Sequence, residues 1–375
     1  MRILFKSIAL KIIMLIIVLF FCHCKKNDIQ EVFNDSPKYN KEKFISLDKL
    51  YSINVTDLTM IRPRMLLECE SVIDFDENNN LYILDTDQCS ITVFNNKGER
   101  IRNFGKPGKG PEDFNRPYYM ILKGEKIYIF ESGHTYKIID LEGTYLTSKT
   151  MPVSNYLKIK LIEDNFYVFE GKTDRTFSDL DFILNIKGKI LFSQKNQIFK
   201  YKFLSGLDGP YYEFIYANWI LITDNGEFYF PEKIFNNYSI IKYDKEGTPL
   251  LKFKRGYKTK KYSKSAKERF YSFYKNSRDN LEFPESPPVV RRMIQDDRGN
   301  IWIIYGETYM DNRDPDYKNS IDIFSEEGEW LYSFKSDVIT KNVMHNDGKL
   351  YVVSPIDEET YEQFIDVYEI NYVKL

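Results

Sequence analysis

Cysteine, histidine and alanine are all scarce in this 375-residue chain, and the first two shortages close off a class of function. Two of the four cysteines, Cys22 and Cys24, end a hydrophobic leader, and one of the three histidines, His23, lies between them. That leaves Cys69, Cys89, His134 and His345, with no HExxH and no paired CxxC motif, so a multi-histidine or multi-cysteine zinc centre is excluded. Charge of one sign is lacking too: the formal net charge is −2, which offers no overall basic field for nucleic acid. Against scarce alanine stand 29 Tyr and 28 Phe, a composition that favours pleated strands over helices. With 43% hydrophobic residues the chain can bury a core.

One long apolar run exists, Ile12 to Phe21, preceded by Arg2, Lys6 and Lys11. Ten residues are too few to cross a bilayer comfortably, so residues 1–24 are expected to be a signal segment. Its end on Cys22 and Cys24, followed by Lys25-Lys26-Asn27, resembles a bacterial lipoprotein signal, in which a cysteine becomes the lipidated first residue. Neither cysteine follows the usual small residue; Cys24 is the preferred lipidation site for the CKKN start and polar tether that follow it, Cys22 is the alternative, and an uncleaved signal anchor is the other reading. Residues 25–42, polar and without periodicity, are expected to form a flexible tether. Export would permit a Cys69–Cys89 disulfide, set against two small buried side chains.

Beyond residue 42 one pattern recurs. A turn rich in Asp, Asn or Gly precedes a short strand in NNNLYILD, GEKIYIFE, EDNFYVFE, NGEFYFPE, RGNIWIIY and DGKLYVVS, centred on Tyr82, Tyr128, Tyr167, Tyr229, Trp302 and Tyr351. In five copies the next strand runs into one kind of hairpin, ITVFNNKG, YKIIDLEG, DFILNIKG, IIKYDKEG and IDIFSEEG. Asn, Asp or Ser opens each turn by bonding its own backbone, and Gly98, Gly143, Gly188, Gly247 or Gly328 closes it where positive φ is needed. Runs such as LYILD are apolar at successive positions, so both faces of these strands should be buried.

Four-stranded units stacked around an axis bury both faces, and six units imply an all-β, six-bladed β-propeller of antiparallel blades. The blades are expected near 66–105, 118–149, 157–194, 217–254, 289–335 and 338–375. The last is one strand short, and residues 43–54 are expected to supply its outer strand, since an open ring would leave an aggregation-prone edge. Between blades four and five, residues 255–288 are expected to insert a short helix: Ser265 and Glu268 form a capping box, and Lys252 to Arg278 carries eleven basic residues. That helix could touch anionic lipid or an acidic glycan, or simply cover the propeller with its aromatic side.

The stretch FGKPGKGPEDFNRP (104–117) has the look of a phosphate loop but lacks the Ser or Thr and the helix that GxxxxGK[ST] requires, so it reads as a connector between blades one and two. Its Gly108, Gly110, Pro111, Phe114 and Pro117, after GERIRNFG, resemble the NHL/TolB-like six-bladed propeller lipoproteins of Bacteroidetes-type bacteria. The resemblance spans most of 43–370. It implies the propeller fold and an envelope location, as an outer-membrane lipoprotein either periplasmic or surface-exposed, but little chemistry.

Candidate site residues follow from superposing the repeats. Asp85, Glu131, Glu170 and Glu232 each stand three residues after the repeat aromatic, with Glu307 nearby in blade five, and should end equivalent strands on one face. They would form a partial acidic ring for a cation, amine or sugar, or else cap the amides of their own loops. His134, Arg175, Tyr309 and Arg313 on loops are further ligand candidates. Asp74, Asp76, Asn78, Asn80 and Asp85 match an EF-hand calcium spacing, but Asn79 replaces the required Gly and strands flank the loop, so a plain hairpin is preferred. The composite expectation is a lipid-anchored binding or scaffolding protein for glycan, peptide or an envelope protein, with no nucleic acid, no cofactor and no assigned catalytic residue. The alternative is a lyase or lactonase using a divalent cation such as calcium held by those carboxylates.

Overall fold

A computed structural model describes residues 29–39, 44–58, 69–133, 135–151, 156–162, 165–173, 180–186, 189–196, 220–232, 237–258, 289–305, 319–339, 342–354 and 359–373, with positions 261, 264, 268 and 357. The strands fall into six sheets, each built from a set of antiparallel neighbours in chain order. Blade one is Ile73–Phe75, Leu81–Asp85, Ser90–Phe94 and Arg100–Phe104; blade two runs from Pro117 to Thr150, blade three from Tyr156 to Asn196, blade four from Leu221 to Arg255 and blade five from Arg292 to Ser336. Blade six contains Val343–Asn346, Lys349–Val353 and Phe364–Tyr372, and its fourth strand is the N-terminal Ile45–Asn54, antiparallel to Phe364–Tyr372. These are the blades of an all-β, six-bladed propeller.

The turn chemistry holds where the hairpins are described. Asn95 Oδ1 accepts from the amides of Lys97 and Glu99, Asp140 Oδ1 from those of Glu142 and Thr144, and Asp244 Oδ1 from those of Glu246 and Thr248. Gly98, Gly143, Gly247 and Gly328 all take positive φ. At two of them the glycine has a second reason: a Cβ would lie 2.7 Å from Phe104 at Gly143, and 2.7 Å from Phe253 at Gly328. Each hairpin tip thus presses its bare backbone against the outer strand of the preceding blade.

Alternation within the central strands distributes the core between seams. Along Ile301–Tyr305, Ile301 and Ile303 pack with blade four residues such as Phe230 and Phe253, whereas Trp302 and Ile304 pack with Val343, Leu350 and Val352 of blade six. In blade two, Ile127 and Ile129 face blade one, and Phe130 faces blade three. The four apolar clusters together bridge every neighbouring pair of blades, the cluster of Ile53, Val367, Leu81 and Ile91 joining six to one. A strand apolar at every position is therefore one whose two faces serve two different seams.

The N-terminal segment departs from the expected tether. Gln30–Asn34 is a strand, parallel to Leu251–Arg255, and adds a fifth member to blade four. Buried Asn34 keys it in place, its Nδ2 donating to Gly328 O (3.0 Å) and its Oδ1 accepting from Trp330 N (2.9 Å). The amides of Lys38 and Tyr39 then donate to Trp330 O and Leu331 O. Polar composition concealed this strand because it forms only against an open sheet edge far along the chain, which pairs its backbone and supplies the partners of Glu31, Val32 and Asn34.

The expected helical insertion at 255–288 lies almost wholly outside the described residues. Lys264 and Glu268 alone are seen there in helical conformation, with Lys264 Nζ 3.8 Å from Glu268. No described helix is long and apolar enough to cross a membrane.

Candidate functional site

Chain reversal in each blade puts the first and third turns on one face and the second turn and the connection to the next blade on the other. The first face is made of tight turns, such as 76–80, 95–99, 244–248 and 347–348. From the opposite face leave the connections 105–116, 197–220, 256–291, 306–318 and 354–363. Asp85, Glu131 and Glu232, at or just beyond the ends of the second strands, belong to this second face.

Each of these three carboxylates is engaged within its own neighbourhood. Asp85, fully buried, accepts from the amides of Asp87 (3.0 Å) and Gln88 (2.8 Å), capping its own loop. Glu131 accepts from Asn115 N (2.8 Å) and lies 3.6 Å from Lys137 Nζ; burial pushes its carboxyl above the ordinary range, against the pull of Asn115 and Lys137. Glu232 accepts from Lys252 Nζ (2.8 Å) and Asn237 Nδ2 (3.2 Å). Burial raises it, but Lys252, Ser239 and Asn237 together hold it below the usual carboxylate range. Glu170 lies in the strand Asn165–Thr173, opposite Tyr156 and Ile183. His134, Arg175, Glu307, Tyr309 and Arg313 lie outside the described residues. Among the described residues no group of three or more His, Cys, Asp or Glu is placed to hold a metal ion.

The calcium-like spacing resolves into a hairpin. Asp76 Oδ1 accepts from the amides of Asn78 and Asn80, while its Oδ2 accepts from Asn80 Nδ2. Blade five repeats the device at Asp296, which takes the amides of Arg298 and Asn300 and, at Oδ2, Trp302 Nε1 (2.8 Å). A carboxylate already saturated by turn amides is a structural cap. Cys89 is likewise structural: it is a free, buried thiol with Sγ 3.6 Å from Thr86 O, which agrees with the small buried side chain weighed against a bridge; the side chain of Cys69 lies outside the described residues.

The glycine-rich connector folds on itself. Phe114 N donates to Lys106 O, Gly108 N to Phe114 O, and Gly110 N to Asp113 Oδ2. Side chains at Gly105 and Gly108 would collide with Phe114 and Asp113, each at 2.3 Å. From below, Lys137 Nζ donates to Gly110 O (2.7 Å) and to Asp113 O. Its carbonyls face a lysine and its one free-standing core residue, Phe114, is sunk into the seam between blades one and two, so this loop spends its polar groups internally and offers no phosphate cradle.

Sequence reasoning missed a different gathering of charge, on the inner strands. The first strands of blades one and two, two and three, four and five, and five and six touch one another near the axis. There Lys160 of blade three pairs with Asp224 of blade four at 2.8 Å, and both act on Asp74 of blade one, whose Oδ2 accepts from Leu122 N (2.7 Å). Burial pushes the Asp74 carboxyl up to about 6, against the amides of Leu122 and Phe75 and the charge of Lys160. On the same turn face Asn79 donates to Asp347 (2.8 Å) and accepts from Asn346 (2.9 Å), and His345 Nδ1 lies 3.7 Å from Asp297. Asp74 and Asn79 fall within the calcium-like spacing, but nothing local marks their partners Lys160, Asp224, Asn346 and Asp347, which come from different blades.

Comparison with known proteins agrees on the architecture. Residues 64–204 match the model of the family DUF5128, described as a 6-bladed beta-propeller. Among solved structures the chain is similar to a candidate exported protein from Bacteroides fragilis, at 13% identity and TM-score 0.53, covering 92% of this chain and 100% of that one. A member of the DUF4221 family from Bacteroides vulgatus aligns at 10% identity and TM-score 0.46, covering 89% and 100%. A streptogramin B lyase aligns at 11% identity and TM-score 0.38, covering 88% and 98%. No curated protein matches the chain.

Proposed function

We propose that this six-bladed propeller is an exported, lipid-anchored binding or scaffolding protein of the bacterial cell envelope, which takes a glycan, a peptide or a partner protein on the face that carries its long connections. The observation that carries this reading is the asymmetry of the disc: tight turns on one face, and 197–220, 256–291 and 306–318 leaving from the other. Long loops on a rigid scaffold are where recognition is ordinarily built. The leader ending at Cys22 and Cys24 supports export and anchoring, and the likeness to a candidate exported protein accords with export alone.

Binding is favoured over cation-dependent lyase or lactonase chemistry by the state of the carboxylates. Asp85 is spent on its own loop, and Glu131 and Glu232 each face a lysine of their own blade, so a divalent ion would have to displace Lys137 and Lys252 to recruit them. The test is a binding screen of the purified protein against envelope glycans and peptides, with metal content measured on the same sample. Saturable binding weakened by Arg175→Ala or Tyr309→Ala is expected. Stoichiometric retained metal with turnover of a lactone or cyclic ester would overturn it.

A further inference from the structure

The direction of the added strand in blade four orients the molecule on its membrane. Gln30–Asn34 runs parallel to Leu251–Arg255, with Gln30 opposite Leu251. Leu251 follows directly on the hairpin turn at Asp244–Thr248, so the chain enters the fold at the tight-turn face and proceeds away from it. An antiparallel pairing would have brought the N-terminus out on the long-connection face. The entry is also fastened: Glu31 accepts from Lys254 Nζ (2.7 Å) and lies 3.4 Å from Lys252 Nζ, and Asn34 is keyed to the hairpin of blade five.

Only residues 25–29 separate Cys24 from Gln30. Fully extended, the six steps from Cys24 to Gln30 reach about 20 Å, roughly the height of a six- or seven-residue strand. A lipid on Cys24 can therefore come level with the opposite face at most, and only with the chain fully extended back along the outer edge of the blade. The geometry points to a propeller held with its tight-turn face, at the rim of blade four, toward the bilayer, and with its long-connection face turned to the aqueous phase. This rests on the lipid-anchor reading and adds to it a direction. The hairpin nearest the entry sets Asp244 and Glu246 against Lys245, so it offers no basic patch to anionic lipid, and the proposal assigns the orientation to the short tether. A charge-held arrangement would weaken as salt shortens the screening length to about 3 Å at 1 M.

The experiment uses the full chain, processed in a bacterial host and reconstituted in phosphatidylethanolamine vesicles containing a headgroup spin-labelled lipid. A fluorescent amino acid is encoded either at Lys245, on the tight-turn face, or at Asp87, on the opposite face. Quenching at position 245 is expected to exceed that at 87 several-fold, to persist in 1 M salt, and to become equal when about thirty Gly/Ser residues are inserted after Asn27. Mass analysis of the N-terminal peptide reports lipidation separately. A lipidated protein quenched equally at both positions, or more strongly at 87, overturns the orientation while leaving the anchor standing. An N-terminal peptide without lipid overturns the anchor reading and the orientation with it.

Discussion

At the scale of single residues, the polar side chains that matter most are those that reach from one blade to another's backbone. Tyr119 donates to Ile159 O, Lys158 to Ile220 O and Arg292 to Val343 O, and Asp74 accepts from Leu122 N. Inner strands lack a neighbour on their axial side, and these side chains supply what a fifth strand would have supplied. Asp74 does so at an electrostatic cost, its carboxyl standing near 6 instead of 3.8. In the unfolded chain it ionises near pH 4; in the native state it holds its proton longer. Its contribution to stability is therefore greatest below about pH 4 and is lost as pH rises through about 6. The difference in unfolding free energy between the native protein and Asp74→Asn, followed by urea titration, is expected to fall across that window; a difference independent of pH would contradict it. Lys137 is the second such residue. Replacing it with Met leaves Glu131 buried without its counter-charge and unfastens Gly110 and Asp113, an expected loss of about 3 kcal/mol, measured by the same titration. A loss within 0.5 kcal/mol of zero, the range of about ±0.5 typical of surface substitutions, would show the connector to be held by Phe114 alone.

At the scale of elements, what could be read in advance and what could not divide along a physical line. The hairpins of blades one, two and four were visible because Asn95, Asp140 and Asp244 bond amides two and four residues away, an arrangement complete within five residues of sequence. The central strands were visible because alternation between two seams makes them apolar throughout. The strand Gln30–Asn34 was not, since QEVFN has no apolar face of its own and exists as a strand only against Leu251–Arg255. Superposition placed Asp85, Glu131 and Glu232 on equivalent strand ends, but nothing local announced Lys137 and Lys252 as the partners of Glu131 and Glu232. Asn34→Ala tests the added strand. It leaves Gly328 O and Trp330 N buried without partners, a cost of about 1–3 kcal/mol, confined to this edge. Hydrogen exchange of the amides at 30–34 and 251–255 is expected to quicken while that of 301–304 is unchanged. Unchanged exchange at 30–34 would show the strand to be held by Glu31 and its lysines instead.

At the scale of the whole molecule, six sheets that each have two oily faces form six seams, and the four apolar clusters reach across all of them. The seam between six and one includes residues from opposite ends of the chain: Gly98 lies under Tyr51 and Ile53, Tyr51 donates to Asn96 O, and Arg100 pairs with Asp57. The N-terminal strand in blade six thus joins the first blade to the last, while the earlier strand at Gln30–Asn34 fixes the face from which the chain enters the fold. A disc assembled this way has a plain face and an elaborate face, and the functional proposal assigns one to the membrane and the other to a ligand. The most direct test is a crystal structure of the chain. It is expected to show six blades, with Ser52 opposite Asp366 in the outer pair of the last one and Gln30–Asn34 parallel to Leu251–Arg255. Five or seven blades, or residues 45–54 detached from Phe364–Tyr372, would contradict it.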